Sequence, residues 1–262
     1  MALFKIFNSK KKKPSKKVIK KKVKPKAKPR HVTKKVRVIK IKKEHQRKEA
    51  KLEFKKMPDE NSYDLLKRYK IPLAPYEFCK NGKELSVAFK KVGFPCVMKV
   101  SGNMIHKTNV NGVRLNIKSE EEAIKTFQEL LKIKGCEKVL VQKMMTEGYE
   151  IIIGGKKDPQ FNRVVALGAG GIFTEFLKDV SFRICPVSRS DAEEMLKEVK
   201  FSDLILKGFR GQKPADANSI IEIILSVSKI MENNSNIKEI DINPIFAMSS
   251  IAIAADVRVI LD

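Results

Sequence analysis

The stretch PCVMKVSGNMIHKTNVNGVRLNI, residues 95–117, contains two predicted strands and the segment that joins them. PCVMKV is short and apolar, as is typical of a strand, and GVRLNI is a second strand. Small and polar residues lie between them, together with His106. The other two histidines lie in a lysine-rich head, so His106 is the only histidine of the part that is predicted to fold.

Charge divides the chain into two parts. Residues 1–57 hold 25 Lys and Arg against three acidic residues, whereas residues 58–262 hold 30 basic and 27 acidic residues. Like charges repel, and prolines interrupt any helix in the first part. We therefore predict a disordered lysine-rich extension, residues 1–57, before a folded body, residues 58–262. The extension either contacts a polyanion (RNA, DNA or anionic lipid) or is a solubilising tail.

Apolar runs and cysteines indicate the compartment. The sequence has no apolar run of the roughly 18–20 residues that span a bilayer, and its N-terminal apolar patch is too short for a secretory signal. The four cysteines are widely spaced and form no C-x-x-C pair. This spacing favours reduced, buried thiols over a disulfide framework or a zinc site. We expect a cytoplasmic protein.

The folded body mixes helices and strands without strict alternation, which predicts an α+β fold with mostly antiparallel pairing in its second half. NSYDLLKRY is a predicted helix with Asn61 or Ser62 as its cap. KELSVAFKKVG is a predicted helix that stops at Gly93. SEEEAIKTFQELLKI is another, opened by Ser119 with Glu122 three residues later.

Lys99 lies within the first strand of the opening stretch, between apolar neighbours. It is either an edge residue that faces water or a cation aimed at a phosphate, which suits the point charge of lysine. Gly168, Gly170 and Gly171 follow another strand, and they either approach a phosphate or form a turn. They match neither a Walker A motif nor a G-x-G-x-x-G fingerprint.

The C-terminal stretch EIDINPIFA alternates polar and apolar residues. On a strand, Glu239, Asp241 and Asn243 share one face. Asp256 follows on a predicted neighbouring strand, so oxygens of Asn243 and Asp256 can meet at one Mg²⁺ ion. The alternative is a half-exposed strand in which Asp256 forms a salt bridge.

His106 has three interpretations: a solvated loop residue, a metal ligand or a nucleophile. A metal site is disfavoured because the folded body has no second histidine and no cysteine pair. As a nucleophile, the imidazole accepts a phosphoryl group and passes it on, which splits one transfer into two.

Several stretches in a fixed order carry a family resemblance over roughly residues 60–262. They are LLKRYKIPLAPYE, VGFPCVMKVSGNMIHKTNVNGVRLNIKSEEEA, VLVQKM, DPQFNRVVALGAGGIFTEFLKDVSFRICPVS, LKGFRGQKP and IKEIDINPIF with DVRVI. The sequence resembles the ATP-grasp (beta-type) subunit of archaeal ADP-forming acetyl-CoA synthetases, of the succinyl-CoA synthetase superfamily. The resemblance implies two small lobes, which we expect at residues 58–135, with the histidine loop, and 136–262, with the nucleotide and magnesium site.

The resemblance also implies roles. Lys99 matches a lysine on the ATP phosphates, and the hinge that reads adenine matches Gln142, Lys143 and Met144. Asn243 and Asp256 match the Mg²⁺ ligands. His106 matches a phosphoryl-carrying histidine, and Glu175 and Asp241 match acidic positions near the phosphates. Acyl-CoA, ADP and phosphate give free acid, CoA and ATP, reversibly, with an alpha-type CoA-binding subunit as partner.

Some positions depart from the family pattern. The family usually has proline at Gly102, Asp and Gly at Asn109 and Asn111, and Glu at Lys143. Two other functions stay open beside the synthetase: an ATP-grasp ligase that joins a carboxylate to an amine, and a degenerate ATP-grasp protein whose basic tail binds nucleic acid.

Overall fold

The computed structural model describes residues 55–102, 111–170, 179–209 and 211–262. Its helices are α1 (Asp59–Arg68), α2 (Gly82–Val92), α3 (Glu120–Leu131), α4 (Arg189–Glu198), α5 (Phe201–Lys207) and α6 (Ala217–Asn233). Its strands are β1 (Lys55–Lys56), β2 (Tyr76–Cys79), β3 (Cys96–Gly102), β4 (Val113–Ile117), β5 (Cys136–Lys143), β6 (Tyr149–Asp158), β7 (Asn162–Ala169), β8 (Val180–Ile184), β9 (Ile237–Ala247), β10 (Ala252–Ala254) and β11 (Val257–Leu261). Among the described helices, none is long and apolar enough to cross a membrane.

The smaller sheet has four antiparallel strands in the order β2-β5-β3-β4. Helices α2 and α3 cover one of its faces with Leu85, Phe89 and Phe127. Met98 and Val100 of β3 are buried in that same core. Because successive strand residues point to opposite faces, Lys99 lies on the face away from these helices.

The larger sheet is also antiparallel, with the order β1-β11-β9-β6-β7-β8 and with β10 paired to β9. Its main core includes Ile240 and Ile242 of β9 and the apolar face of α6. The opposite face carries a small apolar cluster around Ile152 and Ala166. The predicted α+β class with antiparallel pairing in the second half is confirmed.

The two sheets are joined at β10. Leu73 forms an isolated parallel bridge to Ala254. The Ala74 amide donates to the Ala254 carbonyl at 3.1 Å, and the Ala254 amide donates to the Pro72 carbonyl at 2.8 Å. The segment before β2 is therefore hydrogen-bonded to the larger sheet immediately before residues 255 and 256.

Helix α1 begins earlier than predicted. Pro58 occupies the cap position, and Asp59 and Glu60 form the first turn, where acidic side chains suit the helix dipole. Asn61 and Ser62, the predicted caps, lie inside the helix, so that prediction was wrong. The predicted end of α2 at Gly93 is confirmed. The predicted start of α3 at Ser119 is also confirmed, because the Ser119 side chain accepts a hydrogen bond from the Glu122 amide.

The strand pairing differs from the predicted boundaries of the folded body and of its two lobes. Lys55 and Lys56 form β1 and pair with β11, so the folded body includes residues before 58. Strand β5 pairs with β2 and β3, so the change of sheet falls after Lys143 and not at residues 135 and 136. Residues 1–54, assigned to the extension, lie outside the described part.

All four cysteines are free thiols. Burial raises the pKa of Cys79 to about 12 and that of Cys96 to about 11, in each case helped by a nearby glutamate. Such thiols stay protonated at neutral pH and behave as small hydrophobic side chains. Cys79 and Cys96 are thus buried, as expected from the sequence, whereas Cys136 and Cys185 are half-buried.

Gly102 ends β3 at a place without room for a side chain. A Cβ atom there would lie 2.1 Å from the Gly135 carbonyl oxygen and 3.2 Å from the Glu137 amide nitrogen. We expect Gly102→Ala to lower the free energy of unfolding by about 1–3 kcal/mol, because neighbouring backbone must move. Urea unfolding measures this loss. Gly82→Ala is the control, since nothing lies within 4 Å of a Cβ at Gly82. Equal midpoints for Gly102→Ala and the wild type would contradict the expectation.

Candidate functional site

Lys99 connects the two sheets. Its Nζ donates to the Ala255 carbonyl at 2.8 Å and to the Gln142 Oε1 atom at 3.0 Å, and lies 3.8 Å from the Asp256 Oδ2 atom. The residue is buried, so the interpretation as an edge lysine facing water does not hold. Strand β3 therefore delivers a buried cation to the segment that precedes β11.

Gln142 lies on β5 beside Lys99 and is 1% exposed. Its Nε2 atom is buried and has no hydrogen bond of normal geometry within the described part of the chain. The same carboxamide lies near the Tyr63 hydroxyl, where it opposes the larger effect of burial, which raises the pKa of Tyr63. A buried amide donor beside a buried ammonium suits a ligand that carries acceptor atoms, as phosphates and purines do.

Tyr63 of α1 completes this cluster. Its hydroxyl donates to the Ala255 carbonyl at 3.2 Å, so that carbonyl accepts from both Tyr63 and Lys99. Burial, followed by the negative charge of Asp256, raises the pKa of Tyr63 well above its ordinary value. The phenol is therefore a fixed donor at neutral pH, and it holds the segment at residues 255–256 in place.

Strand β9 shows the predicted alternation. Ile240 and Ile242 are fully buried on the core side, and Glu239 and Asp241 lie on the other face. Asp241 forms an ion pair with Arg258 of β11, with 3.2 Å between Oδ2 and the guanidinium. The same nitrogen of Arg258 lies 3.3 Å from Glu239. Asp241 is thus part of a charged network on this face.

Asn243 and Asp256 are brought side by side. The Asn243 amide donates to the Asp256 carbonyl at 3.1 Å, across the ends of β9 and β11. Asn243 is exposed, and the Asp256 side chain is 27% exposed. One Asp256 carboxylate oxygen accepts from the Val257 amide at 3.0 Å. The pair therefore offers one carboxylate and one amide at an accessible position.

This pair fits Mg²⁺, which usually takes one or two carboxylates from a protein and completes its octahedron with substrate phosphates and water. In the described ranges, no group of three or more His, Cys, Asp and Glu is arranged to hold a metal. A hard cation held by Asn243 and Asp256 would therefore need further oxygens, as a bound nucleotide supplies, and the Lys99 ammonium lies beside Asp256.

The residues predicted to form the adenine hinge, Gln142, Lys143 and Met144, lie at the end of β5. The Lys143 amide donates to the Pro75 carbonyl at 2.8 Å, and the Met144 amide donates to the Pro95 carbonyl at 3.2 Å. The Lys143 side chain donates to the Phe94 carbonyl at 3.2 Å. These donors are thus engaged within the protein, so we expect an adenine here to be read by carbonyl groups and by Gln142.

Two predicted catalytic residues, His106 and Glu175, lie outside the described ranges. The structure does bring Lys99, Gln142, Asn243 and Asp256 into one region, with Asp241 on the adjoining strand face.

Sequence reasoning missed Tyr63 and Arg258. The alternation in DVRVI places Arg258 on the same strand face as Asp256, and that signal was sufficient to find it. Tyr63 had no such signal, because within an amphipathic helix a tyrosine resembles any other core residue.

Comparisons with known proteins agree with this geometry. The ATP-grasp domain family matches residues 49–261. The chain is 40% identical over 220 residues to the acetate–CoA ligase [ADP-forming] I subunit beta of Pyrococcus furiosus, with 81% of this chain and 94% of that protein covered. It is 41% identical to the acetate–CoA ligase [ADP-forming] II of Archaeoglobus fulgidus, covering 78% of this chain but 30% of that longer protein.

A solved structure gives the same answer. The dinucleotide forming acetyl-coenzyme A synthetase 1 of Ca. Korarchaeum cryptofilum superposes with a TM-score of 0.70 at 35% identity, with 86% of this chain and 98% of that chain covered. That protein was solved with coenzyme A and Mg-AMPPCP, its phosphohistidine segment pointing towards the nucleotide binding site. Matches over most of both chains show that this protein belongs to the ATP-grasp family, among the beta subunits of ADP-forming acetate–CoA ligases.

Proposed function

We propose that this chain is the nucleotide-binding subunit of an ADP-forming acyl-CoA synthetase. Acyl-CoA, ADP and phosphate are converted into free acid, CoA and ATP, and the reaction is reversible. The observation that carries the proposal is the position of Lys99, a buried cation held between the two sheets next to Asp256. The named relatives and the Mg-AMPPCP complex of a similar protein support it.

Phosphoryl transfer depends mainly on positioning and on neutralising charge. Lys99 supplies a fixed positive charge for nucleotide phosphates, and Gln142 supplies a buried amide donor beside it. Asn243 and Asp256 hold Mg²⁺, which when bound neutralises phosphate charge. The Arg258 network fixes the Asp241 carboxylate on the adjoining face.

His106 is the proposed phosphoryl carrier. The imidazole nitrogen attacks the phosphorus atom of a phosphoryl donor, and the bond to the previous carrier breaks. A terminal oxygen of ADP then attacks the same phosphorus and releases the imidazole, so His106 is regenerated and ATP is formed. Glu175 is proposed as an acidic residue near the transferring group. Both assignments derive from the family resemblance.

An alpha-type subunit is the proposed partner, because it supplies the CoA-binding and acyl-phosphate chemistry. The curated relative that this chain covers almost completely is named a subunit beta. The relative of which the chain covers 30% is a single longer protein, which is consistent with the remaining chemistry lying in further sequence there. Polyanion binding by residues 1–57 is a separate proposal, supported by charge alone.

The proposed function is tested by mass spectrometry of the phosphorylated protein. The full chain, with its alpha-type partner, is incubated with ATP and Mg²⁺ and digested under conditions that preserve phosphoramidates. We expect phosphate on the peptide that contains His106, and its loss on addition of ADP. No phosphate on His106, together with ligation of a carboxylate to an amine, would favour the alternative ATP-grasp ligase.

A further inference from the structure

A buried ion pair that the proposed mechanism does not use lies between the two sheets. Lys56 of β1 and Asp59 of α1 approach to 2.8 Å, with side chains 3% and 0% exposed. Lys56 is fixed from behind by the pairing of β1 with Ile260 of β11. The larger sheet therefore presents an anchored ammonium group at its edge.

The same ammonium reaches the smaller sheet. Lys56 Nζ donates to the Gly102 carbonyl at 3.3 Å. Gly102 is the last residue of β3, three positions after Lys99, and residues 103–110 follow it directly. The contact therefore holds the C-terminal end of β3, the strand that carries Lys99.

Gly102 is also confined from the other side. The Gly135 carbonyl and the Glu137 amide lie so close that a Cβ atom would not fit. The Lys56 contact and this close backbone together leave the end of β3 little freedom to shift. Positions of this kind matter for phosphoryl transfer, since displacement by about 1 Å can cost about 10²-fold in rate.

A contribution to folding stability does not by itself explain why Lys56 and Asp59 form a buried ion pair. Burying two charges costs desolvation energy, and an apolar pair of similar size is often as stable or more so. An apolar pair, however, has no N–H group to donate to Gly102. The donor directed at that carbonyl is what the ion pair offers and a hydrophobic replacement does not.

We propose that Lys56 and Asp59 are positioning residues for phosphoryl transfer. Asp59 orients the Lys56 ammonium, and Lys56 fixes the Gly102 carbonyl and hence the end of β3, the strand that carries Lys99. The inference rests on the proposed function, because it concerns the rate at which His106 is phosphorylated.

The test compares two neutral replacements of the pair in the full chain with its alpha-type partner. Lys56→Met with Asp59→Leu removes both charges and every donor. Lys56→Gln with Asp59→Asn also removes both charges but keeps an amide donor on the side chain that faces Gly102, one bond shorter than the lysine it replaces. Both replacements remove the two charges of the pair together, and urea midpoints measured first show whether each variant folds.

The readout is the rate of phosphohistidine formation, together with the dissociation constant of ATP. We expect the Met/Leu variant to lose about 10- to 100-fold in rate with ATP affinity unchanged. The Gln/Asn variant should retain at least about tenfold more activity than the Met/Leu variant. If the pair were only structural, the loss of phosphorylation rate in each variant would follow its loss of stability. The rate and the affinity for ATP would then fall together.

The matched control is the second ion pair between α1 and the smaller sheet. Lys138 of β5 pairs with Glu60, next to Asp59 in sequence, but this pair is more exposed and makes no contact with Gly102 that the structure records. Lys138→Met with Glu60→Gln should leave the rate unchanged. Wild-type rates in the Met/Leu variant would overturn the inference. Absence of phosphohistidine in the wild type would instead overturn the proposed function, and the inference with it.

Discussion

His106→Ala should abolish ATP formation from acetyl-CoA, ADP and phosphate. The relay needs a nucleophile that forms and breaks a bond to phosphorus, and alanine offers none. Loss of a covalent nucleophile costs enzymes at least about 10³-fold, and we expect a loss of that size or greater. A coupled assay of ATP formation, with the alpha-type partner in excess, measures it. ATP affinity of the variant should stay close to that of the wild type, because the nucleotide contacts proposed above come from other residues.

His31 and His45 provide the control for this experiment. Both are histidines of the basic extension, outside the residues matched by the ATP-grasp family. His31→Ala and His45→Ala should leave the rate of ATP formation unchanged. Equal ATP formation by His106→Ala and the wild type would show that no phosphohistidine relay operates in this chain.

The secondary structure was largely predictable because it depends on local patterns. The 12-residue helix α3 lies within its predicted span, and the side chain of its predicted first residue, Ser119, accepts a hydrogen bond from the Glu122 amide. Three short elements were missed: β1 with two residues, β8 with five and α5 with seven. Short elements carry few periods of a hydrophobic pattern and are harder to recognise, although β4, also of five residues, was predicted as GVRLNI.

The contacts of the site depend on residues far apart in the chain. Lys99 meets Gln142 and Ala255, which are 43 and 156 positions away. Sequence patterns place each residue on a strand and on one face of it, but they do not say which strands of the two sheets meet. The role of Lys99 therefore followed from the resemblance, and its contacts became visible only when the two sheets were in place.

One departure from the family pattern has a structural explanation. Gly102 lies where the family resemblance predicts a proline, and a Cβ atom at this position would lie 2.1 Å from the Gly135 carbonyl oxygen, so no side-chain carbon fits. The sequence signalled the departure but gave no reason for it, because residues 102 and 135 meet only through the pairing of β3 with β5. Lys143 is similar: its ammonium is bonded to the Phe94 carbonyl, a contact that its sequence neighbours do not predict.

Lys99→Met should lower the rate of phosphoryl transfer by about 10²- to 10³-fold, the usual cost of removing one fixed electrostatic contact to a reacting group. Methionine keeps the apolar stem but removes the ammonium. The Ala255 carbonyl still accepts from Tyr63 at 3.2 Å, and the partly exposed Asp256 side chain remains in contact with water. The structural cost is therefore modest, about 1–2 kcal/mol from the hydrogen bonds lost at Gln142 and Ala255.

The two effects are separable by experiment. Urea unfolding gives the change in stability, and the rate of His106 phosphorylation at saturating ATP and Mg²⁺ gives the change in transfer. Lys91→Met is the matched control, because Lys91 belongs to the same α/β layer but pairs only with Glu77 at the surface among the described contacts. We expect Lys91→Met to preserve the rate.

A Lys99→Met protein that loses stability but phosphorylates His106 at the wild-type rate would show that Lys99 only joins the two sheets. A large loss of phosphorylation rate with a nearly unchanged urea midpoint would instead show that the Lys99 charge acts on the phosphates. A residue that only joins the sheets affects stability, whereas a phosphate contact stabilises the transition state.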